Sequence, residues 1–158
     1  MLKKVISGGQ TGVDRGGLDA ALKLGIEIGG WCPLGRRAED GKIPQKYRRL
    51  QEAPTSNYPQ RTEWNVRDSD ATLILCPSIP DSTGTALTVR LCRKLEKPWF
   101  DIINELHMFP NESDGYDHLA SLLTNFEVIN VAGPRESGFP GAQETAKFRC
   151  MEIFKRLR

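Results

Sequence analysis

Histidine is nearly absent from this chain, which carries 2 in 158 residues. His107 and His118 both lie outside every motif described below, so acid–base or metal chemistry built on imidazole has little to work with. The 4 cysteines, Cys32, Cys76, Cys92 and Cys150, form no C-x-x-C pair. That excludes the spacings of zinc sites and redox dithiols and points to reduced thiols in a cytoplasm, with no metal held by the protein. No apolar segment approaches membrane length or has the layout of a secretory leader. An excess of one charge is missing too: 22 basic and 20 acidic side chains leave a net charge of +2, too even for a chain that coats nucleic acid or a membrane surface. Basic and aromatic residues are not interleaved as on single-strand-binding platforms, so no nucleic-acid partner is expected. Internal repeats and low-complexity tracts are also lacking. What remains has the length of one ordinary domain, expected to span 1–158.

Short apolar runs alternate with helical patterns. Strands are expected in "KKVISGG", "IEIGGWCP", "ATLILCP", "KPWFDII" and "FEVINVAGP". The almost unbroken apolar run from Ala71 to Cys76 suits a strand covered on both faces. Helices are expected in "DRGGLDAALKLGI", where Leu18, Ala21, Leu22 and nearly Gly25 share a face, and near 62–68, 85–95, 116–124 and 143–157. In the last, Cys150, Ile153, Phe154 and Leu157 form the apolar face. This alternation predicts an α/β fold, a Rossmann-like three-layer domain with a mainly parallel, doubly wound sheet. Residues 33–62, with Pro33, Pro44, Pro54 and Pro59, read as an insertion over one end of the sheet.

The stretch "VISGGQTGVDRGGLDAAL", residues 5–22, holds five glycines between Val5 and Leu18. In a parallel sheet the loop after a strand sits at the carboxyl edge, where ligands bind, and a helix N-terminus favours an anion. Gly8, Gly9, Gln10, Thr11 and Gly12, with Asp14 and Arg15 opening the helix, are therefore candidates to cradle a phosphate over Gly9–Gly12. Neither G-x-G-x-x-G nor G-x-x-x-x-G-K-[ST] is satisfied. The alternative is a tight turn with Asp14 as the helix cap. On the cradle reading, valine at Gly9 or Gly12 would cost binding more than folding. A second loop, "CPSIPDSTGTALTVRLC", brings Ser82, Thr83, Gly84 and Thr85 to a helix start and would face the same cleft. From the insertion, Arg36, Arg37 and Arg61 are candidates to clamp an anion, and Glu39 and Asp40 to hold sugar hydroxyls or orient the arginines. A self-paired surface network explains the same charges. Asn65, Asp68 and Asp70 read as organisers of the helix end. Trp31, beside the ligand edge, is a candidate flat cover.

"SGGQTGVDRGGLDAA", "GWCPLGRRAEDGKIP", "RTEWNVRDSDATLI" and "STGT", in this order, resemble the molybdenum cofactor carrier family of bacteria over roughly residues 4–155. By resemblance this belongs to a wider Rossmann-like group with the algal molybdenum cofactor carriers and the lonely-guy phosphoribohydrolases. It implies a non-catalytic cradle for a phosphorylated small molecule, the molybdenum cofactor (molybdopterin) or a nucleotide. It also implies molybdoenzymes or cofactor-synthesis proteins as partners, and a homo-oligomer remains open. The hydrolase relatives carry "PGGxGTxxE", whose glutamate serves N-glycosidic cleavage; here "DSTGTALTV" puts Leu87 or Thr88 where that acid would stand, and neither supplies a carboxylate. A hydrolase would have to recruit Glu39, Asp40, Asp14 or Asp81. A ligand-sensing regulatory module is a third reading.

Overall fold

A computed structural model describes residues 1–158. Five strands form one parallel sheet: β1 (Lys4–Ile6), β2 (Glu27–Gly29), β7 (Ala71–Ile74), β8 (Trp99–Asp101) and β9 (Val128–Ala132). Between β2 and β7 lie four two-residue strands, β3 (Trp31–Cys32), β4 (Arg37–Ala38), β5 (Gly41–Lys42) and β6 (Gln51–Glu52). The helices are α1 (Val13–Lys23), α2 (Tyr58–Arg67), α3 (Thr83–Lys94), α4 (Ile102–His107), α5 (Glu112–Leu123) and α6 (Ala142–Lys155).

The sheet order is β2-β1-β9-β7-β8, with every pairing parallel. The last strand of the chain therefore lies at its centre. Counted from β9 as strand one, the order becomes 3-2-1-4-5, the doubly wound Rossmann order 3-2-1-4-5-6 without its sixth strand. The arrangement is the expected α/β Rossmann-like one. All four residues of β7 are buried, as a strand covered on both faces must be.

One hydrophobic cluster of 29 residues runs from the sheet into α1, α5 and α6, and the apolar face of α6 enters it through Cys150, Ile153, Phe154 and Leu157. Helices α1 and α6 pack closely because Gly16 has no side chain: a Cβ there would lie 2.4 Å from the Gln143 carbonyl oxygen. Leu22, expected on the buried face of α1, is 41% exposed. All four cysteines are buried and unpaired, and burial pushes the Cys150 thiol up to about 12. No helix is long and apolar enough to cross a membrane.

The elements differ from the sequence reading mainly where capping decides. "KPWFDII" splits into β8 and α4, because the Asp101 carboxylate accepts hydrogen bonds from Ile103 N at 3.0 Å and Asn104 N at 3.3 Å and so starts a helix inside the apolar run. Helix α5 begins at Glu112 because the Asn111 side chain accepts from Asp114 N at 2.9 Å. Helix α2 begins at Tyr58, with Pro59 in its first turn, where a missing N–H costs nothing. The insertion is more ordered than a plain loop. It pairs β3 with β6 and β4 with β5, and it sends Ile43, Tyr47 and Leu50 into the main core.

Candidate functional site

In a doubly wound sheet the ligand crevice opens where the strand order reverses, outside the carboxyl ends of the strands. Here that point lies between β9 and β7. A cleft of about 570 Å³ opens there, within the usual range for a small-molecule site. Its walls come from the ends of β1, β7 and β9, from α2, and from the first turns of α1 and α3.

The α3 side is open. Ser82 is the N-cap residue, but no side chain caps the helix: the Ser82 hydroxyl donates to Thr85 Oγ1 at 2.8 Å. The amides of the first turn, at Thr83, Gly84 and Thr85, thus keep the free donors of a helix start beside the cleft. A Cβ at Gly84 would meet nothing within 4 Å. Leu87 and Thr88, the two positions where the resemblance would put a hydrolase's acid, line the same wall, and Thr88 donates its hydroxyl to Gly84 O at 3.1 Å. No carboxylate replaces them at that point on the helix.

The opposite side is built from Gly8, Gln10, Asp14 and Arg61. Arg61 Nη1 lies 3.5 Å from Asp14 Oδ2, with both side chains nearly buried. Burial pushes the Asp14 carboxyl above its usual value, against the pull of Arg61, and pushes the Arg61 guanidinium below its own. Both directions mark a pair whose charges are held at a desolvation cost. The Arg61 side chain crosses Gly8, where a Cβ would fall 1.5 Å from Nη1. Gln10 is 3% exposed; its Nε2 donates to Arg37 O at 2.8 Å, while its Oε1 has no partner, and neither has Arg61 Nε.

Eight of the expected residues line the cleft: Gly8, Gln10, Asp14, Arg61, Ser82, Thr83, Gly84 and Thr85. The others are turned elsewhere. The phosphate expected over Gly9–Gly12 would meet protein. Gly9 faces the insertion, its absent Cβ 2.6 Å from Leu50 Cδ2, and Gly12, at φ 82°, faces the Pro134 carbonyl at 2.5 Å. Val13 N already donates to Pro134 O at 3.2 Å. Thr11 donates to Glu39 and accepts from Glu136 N at 3.2 Å. Nor is Asp14 the cap of α1. The N-cap is Gly12, and the Asp14 carboxylate reaches back to Gln10 N at 3.2 Å. Arg15 is held bidentate by Asp40, at 2.6 and 2.9 Å, and donates to Gly9 O.

The part of the insertion before α2 thus folds over the β1–α1 loop rather than into the cleft, whereas its last residues, Tyr58, Arg61 and Thr62, line the cleft. Glu39 binds Thr11 and Ser137; hydrogen bonds from these hydroxyls, Ser137 first, hold its carboxyl below the usual range, and Arg15 does the same for Asp40. Neither acid lines the cleft, so of the four carboxylates open to a hydrolase only Asp14 and Asp81 face it. Arg36 spends its guanidinium on backbone carbonyls of its own loop, including Tyr47 O at 3.2 Å, and Arg37 is exposed. Trp31 stacks edge-on against Trp64, centroids 4.8 Å apart, and donates from Nε1 to Asp68 at 2.7 Å. It covers no part of the cleft. Asn65 fastens Trp31 through both of its backbone groups, at 2.8 and 2.9 Å, and Asp70 accepts from Glu127 N and Val128 N, both at 2.8 Å.

The loop after β9 carries none of the motifs that mark the other two loops in the sequence. Gly133, Pro134, Arg135, Ser137 and Gly138 all line the cleft. Arg135 stacks over the Tyr58 ring at 4.7 Å and enters no ion pair, whereas Arg61 approaches the same ring at 5.3 Å. The signal was "VAGPRESG", a glycine directly after an apolar strand. It carried no weight because the last strand of a chain gives no hint that it is the central one. No group of three or more His, Cys, Asp or Glu side chains comes together to hold a metal ion.

Comparisons with known proteins agree with this topology. A search of curated proteins finds no match. The chain is similar to a solved structure from Syntrophus aciditrophicus SB, described as a "putative molybdenum carrier protein", at 38% sequence identity. The match covers 99% of this chain and 94% of that one, with a TM-score of 0.78. Residues 5–154 match the family model described as the circularly permutated YpsA SLOG family, and a sheet whose final strand takes the place of the first is what such a permutation leaves behind. The chain belongs to the circularly permutated YpsA SLOG family.

Proposed function

We propose that this protein is a carrier or binding module that holds a phosphorylated small molecule in the cleft between β7 and β9, without acting on it chemically. The observation that carries the reading is the uncapped first turn of α3 in the same cleft as Arg135, a cation held in no ion pair. Free helix amides and an unpaired guanidinium together favour a bound anion. On this reading the anion sits at Ser82–Thr85 and Arg135 rather than over Gly9–Gly12. Arg61, already paired with Asp14, contributes to the other end.

The candidate ligands are the molybdenum cofactor and a nucleotide. The first is supported by the description of the Syntrophus protein as a molybdenum carrier. With no cluster of metal-ligating side chains on the protein, a cargo of that kind would bring its metal with it.

Calorimetric titration with inorganic phosphate, with nucleoside monophosphates and with molybdenum cofactor released from a donor enzyme tests the reading. At least one phosphorylated ligand is expected to bind below millimolar, about 4 kcal/mol, and to lose at least tenfold in Arg135→Ala. Failure of all of them to bind at millimolar concentration overturns it. Release of free base or phosphate during the titration would show a hydrolase.

A further inference from the structure

Arg67, Arg149 and Arg156 each lie over an aromatic ring, and each is also held by an acid, Asp68, Glu112 and Asp117 in turn. Arg135 comes closer to a ring than any of them, 4.7 Å from the Tyr58 centroid, yet its side chain donates no hydrogen bond and enters no ion pair. The difference matters for an anion site. A carboxylate beside a guanidinium occupies its in-plane N–H groups and cancels its charge, whereas an aromatic face attracts the cation and leaves both available. An arginine with no partner loses rotamer entropy when a ligand fixes it, so holding it in advance strengthens binding.

The backbone on either side of Arg135 is already fixed: Pro134 O accepts from Val13 N, and Glu136 N donates to Thr11 Oγ1, both at 3.2 Å. What remains to be held is the side chain, and the Tyr58 ring is its partner. Tyr58 is itself placed as the first residue of α2, its carbonyl accepting from the Thr62 hydroxyl at 2.9 Å. The Arg61 guanidinium lies 5.3 Å from the same ring, and its pairing with Asp14 offsets the repulsion between two cations that share one aromatic partner. Asp14, Arg61, Tyr58 and Arg135 all line the cleft.

We propose that Tyr58 is the positioning residue of the anion site: its ring holds the Arg135 guanidinium in the cleft with charge and donors unspent. The inference rests on the reading of the cleft as a site for a phosphorylated small molecule and adds the device that keeps its cation ready. Tyr58 acts through Arg135 and not by touching the phosphate.

The test is calorimetric titration of the intact protein with inorganic phosphate and with AMP, for wild type, Tyr58→Phe, Tyr58→Leu, Arg135→Ala and Tyr58→Leu combined with Arg135→Ala. A melting curve accompanies each, and Tyr58→Ala replaces the leucine variant if that one does not fold. Tyr58→Leu is expected to weaken both probes by about threefold or more, and Tyr58→Phe by less than about twofold, since it keeps the ring. With Arg135 already replaced by alanine, the leucine should cost nothing further, because a residue that only positions Arg135 has nothing left to position. Additive losses in the double variant overturn the inference, as do unchanged phosphate affinity in folded Tyr58→Leu or a phenylalanine variant as weak as the leucine one. Loss of AMP affinity alone overturns it too, since the ring would then meet the base rather than the arginine. In each of these cases phosphate binding that falls in Arg135→Ala leaves the anion site standing. Failure of both probes to bind the wild type overturns this inference, and the released cofactor then decides the carrier reading by itself.

Discussion

After β1 the chain runs through Gly8–Gly12 into α1, and after β7 it runs through Ser78–Ser82 into α3. Both connections join a buried parallel strand to a helix at the same edge of the sheet, and both bring hydroxyl residues and a glycine to the helix start, the glycine lying in the loop at α1 and in the first turn, as Gly84, at α3. At α1 the protein has filled its own anion site: Asp14 sits in the first turn, Val13 N donates to the Pro134 carbonyl, and Thr11 is taken by Glu39 and Glu136. At α3 nothing comparable intrudes. A helix start is a ligand site only while its amides are free, and that depends on what the rest of the chain lays against it. Glycine in the first loop serves close approach of protein to protein; Gly84, in the first turn of α3, leaves open space.

The strongest way to break this contrast is steric. Gly12→Val places a Cβ against the Pro134 carbonyl at a positive φ, so strain of roughly 1–3 kcal/mol and overpacking of similar size should lower stability severely or abolish folding. This reverses the expectation from sequence, in which binding would suffer first. A thermal melt with wild-type midpoint would refute the packed-loop account.

Next in size is the ion pair behind the first loop. Arg61→Met leaves the Asp14 carboxylate buried alone and should cost about 3 kcal/mol or more, whereas Asp14→Asn combined with Arg61→Met should recover most of that loss. Denaturant titrations of the single and double variants measure it.

At α3 the expected change has the other sign for stability. Gly84→Ala should raise stability by a few tenths to about 1 kcal/mol, since the position is helical and unobstructed, yet weaken anion binding by filling the ligand's place. A variant that is more stable and still binds phosphate normally would move the anion site away from α3.

Smaller is the latch that closes the first loop. Glu39 has its carboxyl held below the ordinary value of 4.5, chiefly by the Ser137 hydroxyl and then by Thr11. A depressed folded-state pKa contributes stability that is present above the unfolded value and lost as pH falls through the folded one. Glu39→Gln should therefore lower the midpoint slightly at neutral pH, by less than about 1 kcal/mol for so exposed a group, and the difference should shrink as pH falls below 4.5 and through the depressed folded-state value. Melts between pH 3 and pH 7, stepped in units of about 0.5, follow the convergence; a gap that widens in acid would contradict the latch. Smallest of all, Trp31→Phe removes the exposed bond to Asp68, about 0.5 kcal/mol, and should leave ligand affinity unchanged, because Trp31 lies outside the cleft.

The alternation of "TLILC" with helical patterns was enough to predict five strands, their parallel pairing and a ligand edge, because burial on both faces writes a continuous apolar run into a strand. The loop at Ser82–Thr85 was legible for a similar reason: helix starts have a local signature. Other features lay beyond local reading. Arg135 gained its place only because β9 inserts between β1 and β7, and pairing between segments so far apart in sequence leaves no mark in either one. The same holds for Glu39 and Asp40. Their charge suited a ligand or a neighbour equally well until the β4–β5 hairpin set them against Thr11 and Arg15.

Fold class was thus fixed by periodicity, glycine placement and the order of the motifs, all of which act within a few residues of chain. Which helix start stays open and which arginine is unpaired were decided by tertiary contacts. A backbone amide or a guanidinium has the same sequence signature whether it is satisfied by a ligand or by a distant carbonyl, and only the folded chain determines which partner reaches it first.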